Sequence, residues 1–474
     1  MAHATYRTNL LHPAEEVYAW HARPGALQRL LPSFENTQLL SVTPGPEGAP
    51  LSDGTRLVLA ARAGPFRLKW HALHESHVPG ESFTDIQSRG PFRRWRHVHR
   101  FIPLTSASST LEDDIDYALP RWTLGLRAAS EHVRARLDRL FSFRHVRTRN
   151  DLDRHAAFRT RPRLKVGVTG SSGSIGTALC AFLSTAGHHV IGIARAGRRG
   201  GERGSASAWS GSGEPVLWNP SRGTLERGSL DNLDAVIHLA GSPITAQRWT
   251  KSHKDAVRDS RVEGTRALCK LLAELNHPPK TFLSASGVGY YGDRQDDLLT
   301  EDSTLGSGVL AEVARDWEAA TEPAVRAGIR TAVLRMGVVL DAAGGMLRRI
   351  MTPAKLGLLG RLGSGRQFIS WIALDDCLAS IETLLHEPVS GPVNLVSPNP
   401  VTQEEFVRTL AELLRRPRLL NMGSSVVRAV FGEMGDELLL RGQRVSPARL
   451  MASGFRFSTP DLATALRWEL GRGV

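Results

Sequence analysis

The stretch KVGVTGSSGSIGTAL, residues 165–179, holds the residues whose types and spacing most plainly imply chemistry. An apolar run ends at Thr169, then Gly170, Gly173 and Gly176 lead into an amphipathic run with Ile175, Leu179 and Phe182 on one face. A strand, a glycine loop and a helix in this order form the opening of a dinucleotide-binding βαβ unit. Gly170 permits the tight turn, Gly173 lets the main chain approach a pyrophosphate, and Gly176 lets the helix pack closely on the strand. Thr169, Gly170, Ser172, Gly173, Ser174, Ile175 and Gly176 are therefore the expected cofactor-binding residues, with the helix-start amides holding the anion. The next strand, HHVIGIA, ends at Arg195, followed by Arg198 and Arg199 and no nearby carboxylate. An acidic residue there would suit the ribose hydroxyls of NAD. Guanidinium groups instead pair with a 2′-phosphate, which favours NADP(H) over NAD(H).

The elements that must position these residues follow from the patterning. Strand-like runs at 164–169, 189–194, 234–239, 281–286, 331–335 and 391–396 alternate with helical ones, the mark of a parallel sheet covered on both faces. Thr402 with Glu405 three residues on starts another helix as a capping box, ending near Pro417. Residues 1–146 differ. Runs at 57–76, 82–104 and 108–120, broken by Gly, Pro and Ser, read as an antiparallel meander. Leu126, Ala129, Val133, Leu137, Leu140 and Phe141 then recur at helical spacing. The polar, charged residues 147–163 read as a linker. Residues 164–385 form the cofactor domain, and 386–474 a C-terminal portion on the substrate side.

The chain has 474 residues, 41% apolar, enough for several buried cores. No run approaches the length of a membrane span, and the N-terminus lacks a basic start followed by an apolar core, so a cytoplasmic protein is expected. Three scattered cysteines suggest neither a disulfide framework nor a cysteine metal site. The net charge of +13 invites a nucleic-acid reading, but the arginines are spread along the chain without interleaved aromatics. An electropositive cleft for a small anion is the better inference. His71, His74, His77, His97 and His99 lack a Cys or acidic partner at metal spacing, although His97 and His99 would share a strand face. No metal is expected.

With these residues in view, VTGSSGSIG, DAVIHLAGSPI (234–244) and SASGVGYYGD (284–293) resemble the extended short-chain dehydrogenase/reductases of the sugar-nucleotide epimerase group. AGSPITAQRWTKSHKDAVRDSRVEGT, VARDWEAAT, LRMGVVL, ISWIALDD and RVSPARLMASGFRF are similar to an epimerase-like branch ending in a DUF1731-like segment. SFTDIQSRGPFRRWRHVHRF resembles the START/polyketide-cyclase-like (SRPBCC) helix-grip domains, which commonly enclose an apolar ligand cavity. The implied fold is an α/β Rossmann domain of the extended type preceded by an α+β helix-grip domain.

The resemblance implies that Leu239, Ala240 and Gly241 line the cofactor and that Arg248 faces the nicotinamide side or the substrate. It also implies that Arg366 and Gln367, in GRLGSGRQF, close over a small anionic substrate. Asp375 and Asp376 are read as caps of the following helix. Active members combine a Ser/Thr with a Tyr and a Lys four residues later. Ser286 matches the first. With Glu318 as the helical anchor, Leu310 and Ala314 stand where the other two belong, and neither moves a proton. Two readings remain. Tyr290 or Tyr291 serves as a relocated acid/base beside Ser286 in an atypical NADP(H)-dependent oxidoreductase or epimerase/dehydratase-like protein acting on a small metabolite, for instance a sugar nucleotide. Alternatively, the chain is a non-catalytic NADP(H)-binding sensor whose N-terminal domain holds a hydrophobic ligand. Oligomeric state is not legible.

Overall fold

In the first third of the chain, buried side chains recur at alternate strand positions, Trp95, His97, His99 and Phe101 on one strand and Leu111, Asp113, Ile115 and Tyr117 on the next, as a sheet covered on one face requires. A computed structural model describes residues 1–35, 37–46, 48–63, 66–120, 127–195, 216–219, 224–225, 230–245 and 249–472. The N-terminal strands are β1 (Ala2–Leu10), β2 (Gln38–Thr43), β3 (Arg56–Ala63), β4 (Phe66–Val78), β5 (Ser82–Arg89), β6 (Arg94–Thr105) and β7 (Ser108–Ala118). They form a seven-stranded sheet in the order β1-β7-β6-β5-β4-β3-β2. Helices α1 (Ala14–Ala22) and α2 (Ala26–Leu30) follow β1, and the 30-residue α3 (Arg127–Ala156) follows β7. Leu137 and Phe141 of α3 are buried with Trp95, Ile115 and Tyr117, while Val133 and Leu140 pack beside them. Leu126 lies outside the described residues.

The parallel sheet begins with β8 (Lys165–Thr169), α4 (Ser174–Thr185) and β9 (His189–Arg195). It continues through β10 (Val216–Asn219), β11 (Thr224–Leu225), β12 (Ala235–His238), α5 (Lys251–Ala273) and β13 (Thr281–Gly287). Next come β14 (Leu298–Leu299), α6 (Val309–Ala319), α7 (Glu322–Arg326) and β15 (Arg330–Met336). Then follow β16 (Val338–Leu340), α8 (Gly345–Lys355), β17 (Phe368–Ile369), β18 (Trp371–Ala373), α9 (Leu374–His386) and β19 (Gly391–Leu395). Sheet order is β11-β10-β9-β8-β12-β13-β15-β19, parallel except for the β10–β11 pair. Successive strands run outward from β8 in both directions, so the chain reverses direction between β8 and β12. That is where an open α/β sheet leaves a crevice at its carboxyl edge. One apolar layer joins the sheet to α4 and α9, and another joins it to α5. The helix at Gln403–Leu414 starts as its capping box requires, with Thr402 accepting the Glu405 N–H at 3.2 Å.

The linker reading of 147–163 is corrected over its first ten residues, because α3 continues to Ala156. Arg147, Thr148, Asp151, Leu152 and His155 are buried there. Charge that reads as solvated linker is buried because each group meets its opposite. Arg29 of α2 donates to both Asp151 oxygens, at 2.8 and 2.6 Å, and to Asp375 Oδ1 at 3.0 Å. Arg147 also pairs with Asp375, and Arg154 with Asp376 at 2.5 Å. Asp375 and Asp376 are therefore not side-chain caps; Ala373 is the N-cap of α9. They carry the contact between the two domains from the first turn of α9, a position that also suits the helix dipole. The Phe143 and Trp468 rings stack at 4.7 Å, with the Arg147 guanidinium over both.

Breaking a buried pair strands a charge, at about 3–5 kcal/mol. Asp151→Asn is therefore expected to lower unfolding free energy by about that much in urea denaturation. Glu469 lies in the same interface. Burial, then Asp341 and Asp375, push its carboxyl up to about 8, while Ser33 and the Ala342 amide donate to it. The folded protein thus keeps a proton that an unfolded glutamate releases near 4.5, so this stability is full below 4.5 and lost as pH rises through about 8. Glu469→Gln should flatten the decline in melting temperature across that window.

Candidate functional site

At the split in the sheet, Thr169 ends β8 beside its register partner His238, which ends β12. The buried Thr169 Oγ1 accepts the amides of Leu239 and Ala240, at 3.1 and 3.3 Å, and donates to His238 Nδ1 at 2.7 Å. Burial lowers His238 to about 4, so the ring is neutral and able to accept. The two loops at the crevice are thereby fixed to one another. Gly170 has φ +70°, and a Cβ there would lie 2.9 Å from the Leu239 carbonyl. A Cβ on Gly176 would lie 2.1 Å from Gly170 O. No other residue fits either position without moving backbone. Ser172, Gly173 and Ser174 are exposed at the start of α4, and Ile175 turns inward. An exposed helix start at a glycine-tight turn fits a diphosphate. Leu239, Ala240 and Gly241 form the opposite lip of the crevice. Arg195 ends β9, and its side chain lies outside the described residues, as do Arg198, Arg199 and Arg248.

Ser286, Arg335 and Asn394 are register neighbours across β13, β15 and β19. Ser286 Oγ donates to Glu318 Oε1 at 2.9 Å, and Arg335 donates to both Glu318 oxygens at 2.8 Å. Tyr291 is fully buried; its hydroxyl donates to Asn394 Oδ1 at 2.7 Å and accepts from Arg335 Nη1 at 2.9 Å. Burial raises the Tyr291 hydroxyl above its ordinary value, and Arg335 only partly opposes this. Tyr290 lies against the Arg335 guanidinium, 3.5 Å from ring centroid to carbon. These residues close on one another rather than on a cavity. The acid/base reading of Tyr291 is thereby corrected: its hydroxyl has no free face. Ser286 and Tyr290 belong to the same network, which holds three strand ends together.

A pocket of about 470 Å³ opens next to this network. Gly287, Val288 and Gly289 floor it, and Leu310, Ala314 and Trp317 wall it, so the two positions lacking Tyr and Lys face directly onto it. Its remaining lining is also largely apolar, from Met336 to Phe406. Arg261, on α5, borders the pocket and donates to the Ser242 and Val257 carbonyls at 2.9 and 3.1 Å. Burial lowers Arg261 to about 10, and among the described residues it has no carboxylate partner. The other pocket arginine, Arg441, is paired with Glu437 at 2.9 Å. Gln367 lines the pocket, but its amide donates to the Leu362 and Leu439 carbonyls, at 3.0 and 2.7 Å, and pins the loop. Arg366 is exposed. Arg261, Arg335 and Asn394 were not singled out from sequence; a lone arginine on an amphipathic helix carries no signal, although Arg335 sits within LRMGVVL.

The N-terminal sheet and α3 enclose a second, larger cavity of about 1180 Å³. Leu57, Leu59, Trp70, Phe83 and Leu137 are among its apolar walls, and His74, Asp85, His97 and His99 lie together on one side. Among the described residues, no helix is long and apolar enough to cross a membrane.

A glycine-tight phosphate cradle at the split of a parallel sheet defines a nucleotide-binding Rossmann-type protein. The chain belongs to the NAD dependent epimerase/dehydratase family, whose profile matches residues 166–396, with a domain of unknown function (DUF1731) at 424–469. It is 41% identical over 308 residues to the epimerase family protein Mb2239 of Mycobacterium bovis, covering 65% of this chain and 98% of that protein. A solved Corynebacterium glutamicum structure, described as a nucleoside-diphosphate sugar epimerase, aligns with 99% of this chain and 90% of its own at 34% identity, TM-score 0.77. The human epimerase family protein SDR39U1, solved with NADPH, aligns with 66% of this chain and all of its own at 32% identity, TM-score 0.56. A nicotinamide cofactor is thus supported for this chain.

A tyrosine confined to structural work makes a clear prediction. Tyr291→Phe leaves the Arg335 and Asn394 groups short of a buried partner, at about 1–3 kcal/mol. Chemical denaturation should register that loss, with cofactor affinity unchanged.

Proposed function

We propose that the chain binds NADP(H) across the split between β8 and β12 and acts as an atypical oxidoreductase or epimerase-type enzyme. The substrate is a small, largely apolar molecule with one anionic or strongly polar oxygen. When bound, the nicotinamide supplies or accepts a hydride. Gly170, Gly173 and the first turn of α4 hold the diphosphate, and Leu239 to Gly241 line the facing side. Arg195, at the end of β9, is assigned to the 2′-phosphate on its chemistry, in keeping with NADPH in the human relative.

The observation that carries the substrate reading is the pocket over Gly287–Gly289, in which Arg261 is the one cation without a carboxylate among the described residues. A single uncompensated guanidinium in an apolar wall suits one negative charge. The two phosphates of a sugar nucleotide would call for more. Arg261 is placed to hold a substrate oxygen and to stabilise charge developing on it, the strongest electrostatic aid available in a dry site. With Leu310 and Ala314 in the wall, proton exchange falls to water rather than to a tyrosine. Ser286 acts as a positioning residue through Glu318.

The spent hydroxyls of Ser286 and Tyr291 favour a second reading, a non-catalytic NADP(H) sensor. There the N-terminal unit, read from sequence as a helix-grip (SRPBCC-like) domain of residues 1–146 and extended by α3 to Ala156, holds a hydrophobic ligand in its cavity.

Calorimetry should give NADPH binding at least ~10-fold tighter than NADH, a preference that Arg195→Glu reverses. Loss of NADPH absorbance with small apolar keto acids and aldehydes, abolished by Arg261→Met, supports the enzyme. Tight NADPH binding with no consumption supports the sensor. Equal affinity for both coenzymes contradicts the cofactor assignment.

A further inference from the structure

The histidines of the N-terminal sheet acquire carboxylate partners only through strand pairing. Asp85 of β5 is the register partner of both His74 on β4 and His97 on β6. Two residues along β6, on the same face, His99 stands opposite Asp113 of β7. His74, Asp85, His97 and His99 line the large cavity, and Asp113 lies behind them, 3% exposed.

Asp113 contacts His97 Nε2 at 2.8 Å, His99 Nδ1 at 2.7 Å and His145 Nε2 at 2.6 Å. Asp113 accepts from His97 Nε2 and His145 Nε2, which makes these the N–H side of their rings, whereas His99 Nδ1 lies close to Asp113 without a hydrogen bond. The lone pair of His97 Nδ1 is then left 4.0 Å from Asp85 Oδ2, and His99 Nε2 donates to the same oxygen at 3.4 Å, a proton that a bound ion would displace. One donor atom from each of the three residues lies within 4.8 Å of the other two. Tetrahedral bonds of about 2.0–2.1 Å separate donors by about 3.3 Å, so closure asks only for side-chain movements of an ångström or so. Histidine ligands whose second nitrogen is held by a carboxylate are the usual arrangement around a bound metal. Imidazole with carboxylate suits divalent first-row ions. His74 Nε2 is 2.9 Å from Asp85 Oδ1, and its own Nδ1 is buried with no hydrogen-bond partner. Asp85 is the least covered of the set, with its side chain 22% exposed.

We propose that Asp85, His97 and His99 form a binding site for a divalent first-row metal ion, oriented by Asp113, with an open coordination position facing the apolar cavity. The cavity would accordingly take an apolar molecule that ends in an oxygen donor, such as a carboxylate or enolate. This departs from the expectation of no metal. Reading along the chain finds no acid at ligand spacing, because both acids arrive from neighbouring strands. The proposal is independent of the reading of the C-terminal pocket.

The test uses the full-length chain, stripped with a chelator and titrated with Zn²⁺ and with Co²⁺. One equivalent of Zn²⁺ is expected to bind at sub-micromolar affinity, and Co²⁺ to give visible ligand-field bands. Asp85→Asn should weaken binding by more than about 100-fold and Asp113→Asn by about 10–100-fold, with the far-UV spectrum retained. Absence of a saturable equivalent overturns the proposal, as does binding that survives Asp85→Asn, which would place the ion on other histidines. Should the variants fold poorly, X-ray absorption at the zinc edge of the unaltered protein decides. A shell with two imidazoles and oxygen supports the site; any other shell, or no bound zinc, overturns it.

Discussion

The Thr169 hydroxyl bears on everything placed at the carboxyl edge of the parallel sheet. It sits where two neighbouring strands part, receives two amides of the opposite loop, and donates to the neutral ring of His238. Both lips of the crevice are therefore tied at one buried point. The glycine turn then approaches the Leu239 carbonyl so closely that a side chain at Gly170 would meet it at 2.9 Å. A gap of fixed width, rimmed by exposed amides of α4, is the physical reason this sheet can hold a dinucleotide.

Further along the same edge, the chain has exchanged acid–base chemistry for rigidity. Glu318 takes Ser286 and both arms of Arg335, and Arg335 in turn reaches Tyr291, which reaches Asn394. This buried network runs across three strand ends, and a network of that kind is robust only when every member is satisfied. The same satisfaction leaves the Tyr291 hydroxyl with both a donor and an acceptor inside the protein. In the adjoining pocket, Arg261 is pressed against the face of Trp317 at 5.0 Å and has no carboxylate partner among the described residues.

Legibility in the sequence followed the range of the interactions. The parallel strands were readable because they are continuous apolar runs between glycine breaks, and the phosphate cradle because its three glycines fall within seven residues. Thr402 announced its helix by a local bond to Glu405. What was misread depends on partners far along the chain. Residues 147–156 look like linker until Arg29 and Asp375 arrive from 122 or more positions away to neutralise them. Tyr291 looks available until Arg335 and Asn394 enclose it. His97 and His99 look ordinary until strand register sets Asp85 and Asp113 beside them. Local pattern exposes turns, strands and caps; paired buried charge is a property of the assembled chain.

The two domains meet through charge as well as through stacked Phe143 and Trp468, and Asp341 joins the loop before α8 to Ser174 at the cradle. The same loop carries the Ala342 amide that donates to Glu469. A short path of contacts thus runs from the phosphate cradle to the N-terminal domain. The central claim, that the start of α4 and the lip at Leu239–Gly241 grip one coenzyme, is tested most directly by amide hydrogen exchange of the full chain with and without NADPH. The account expects strong protection confined at first to peptides spanning 170–176 and 239–241. Unchanged exchange in both peptides at saturating coenzyme would contradict it.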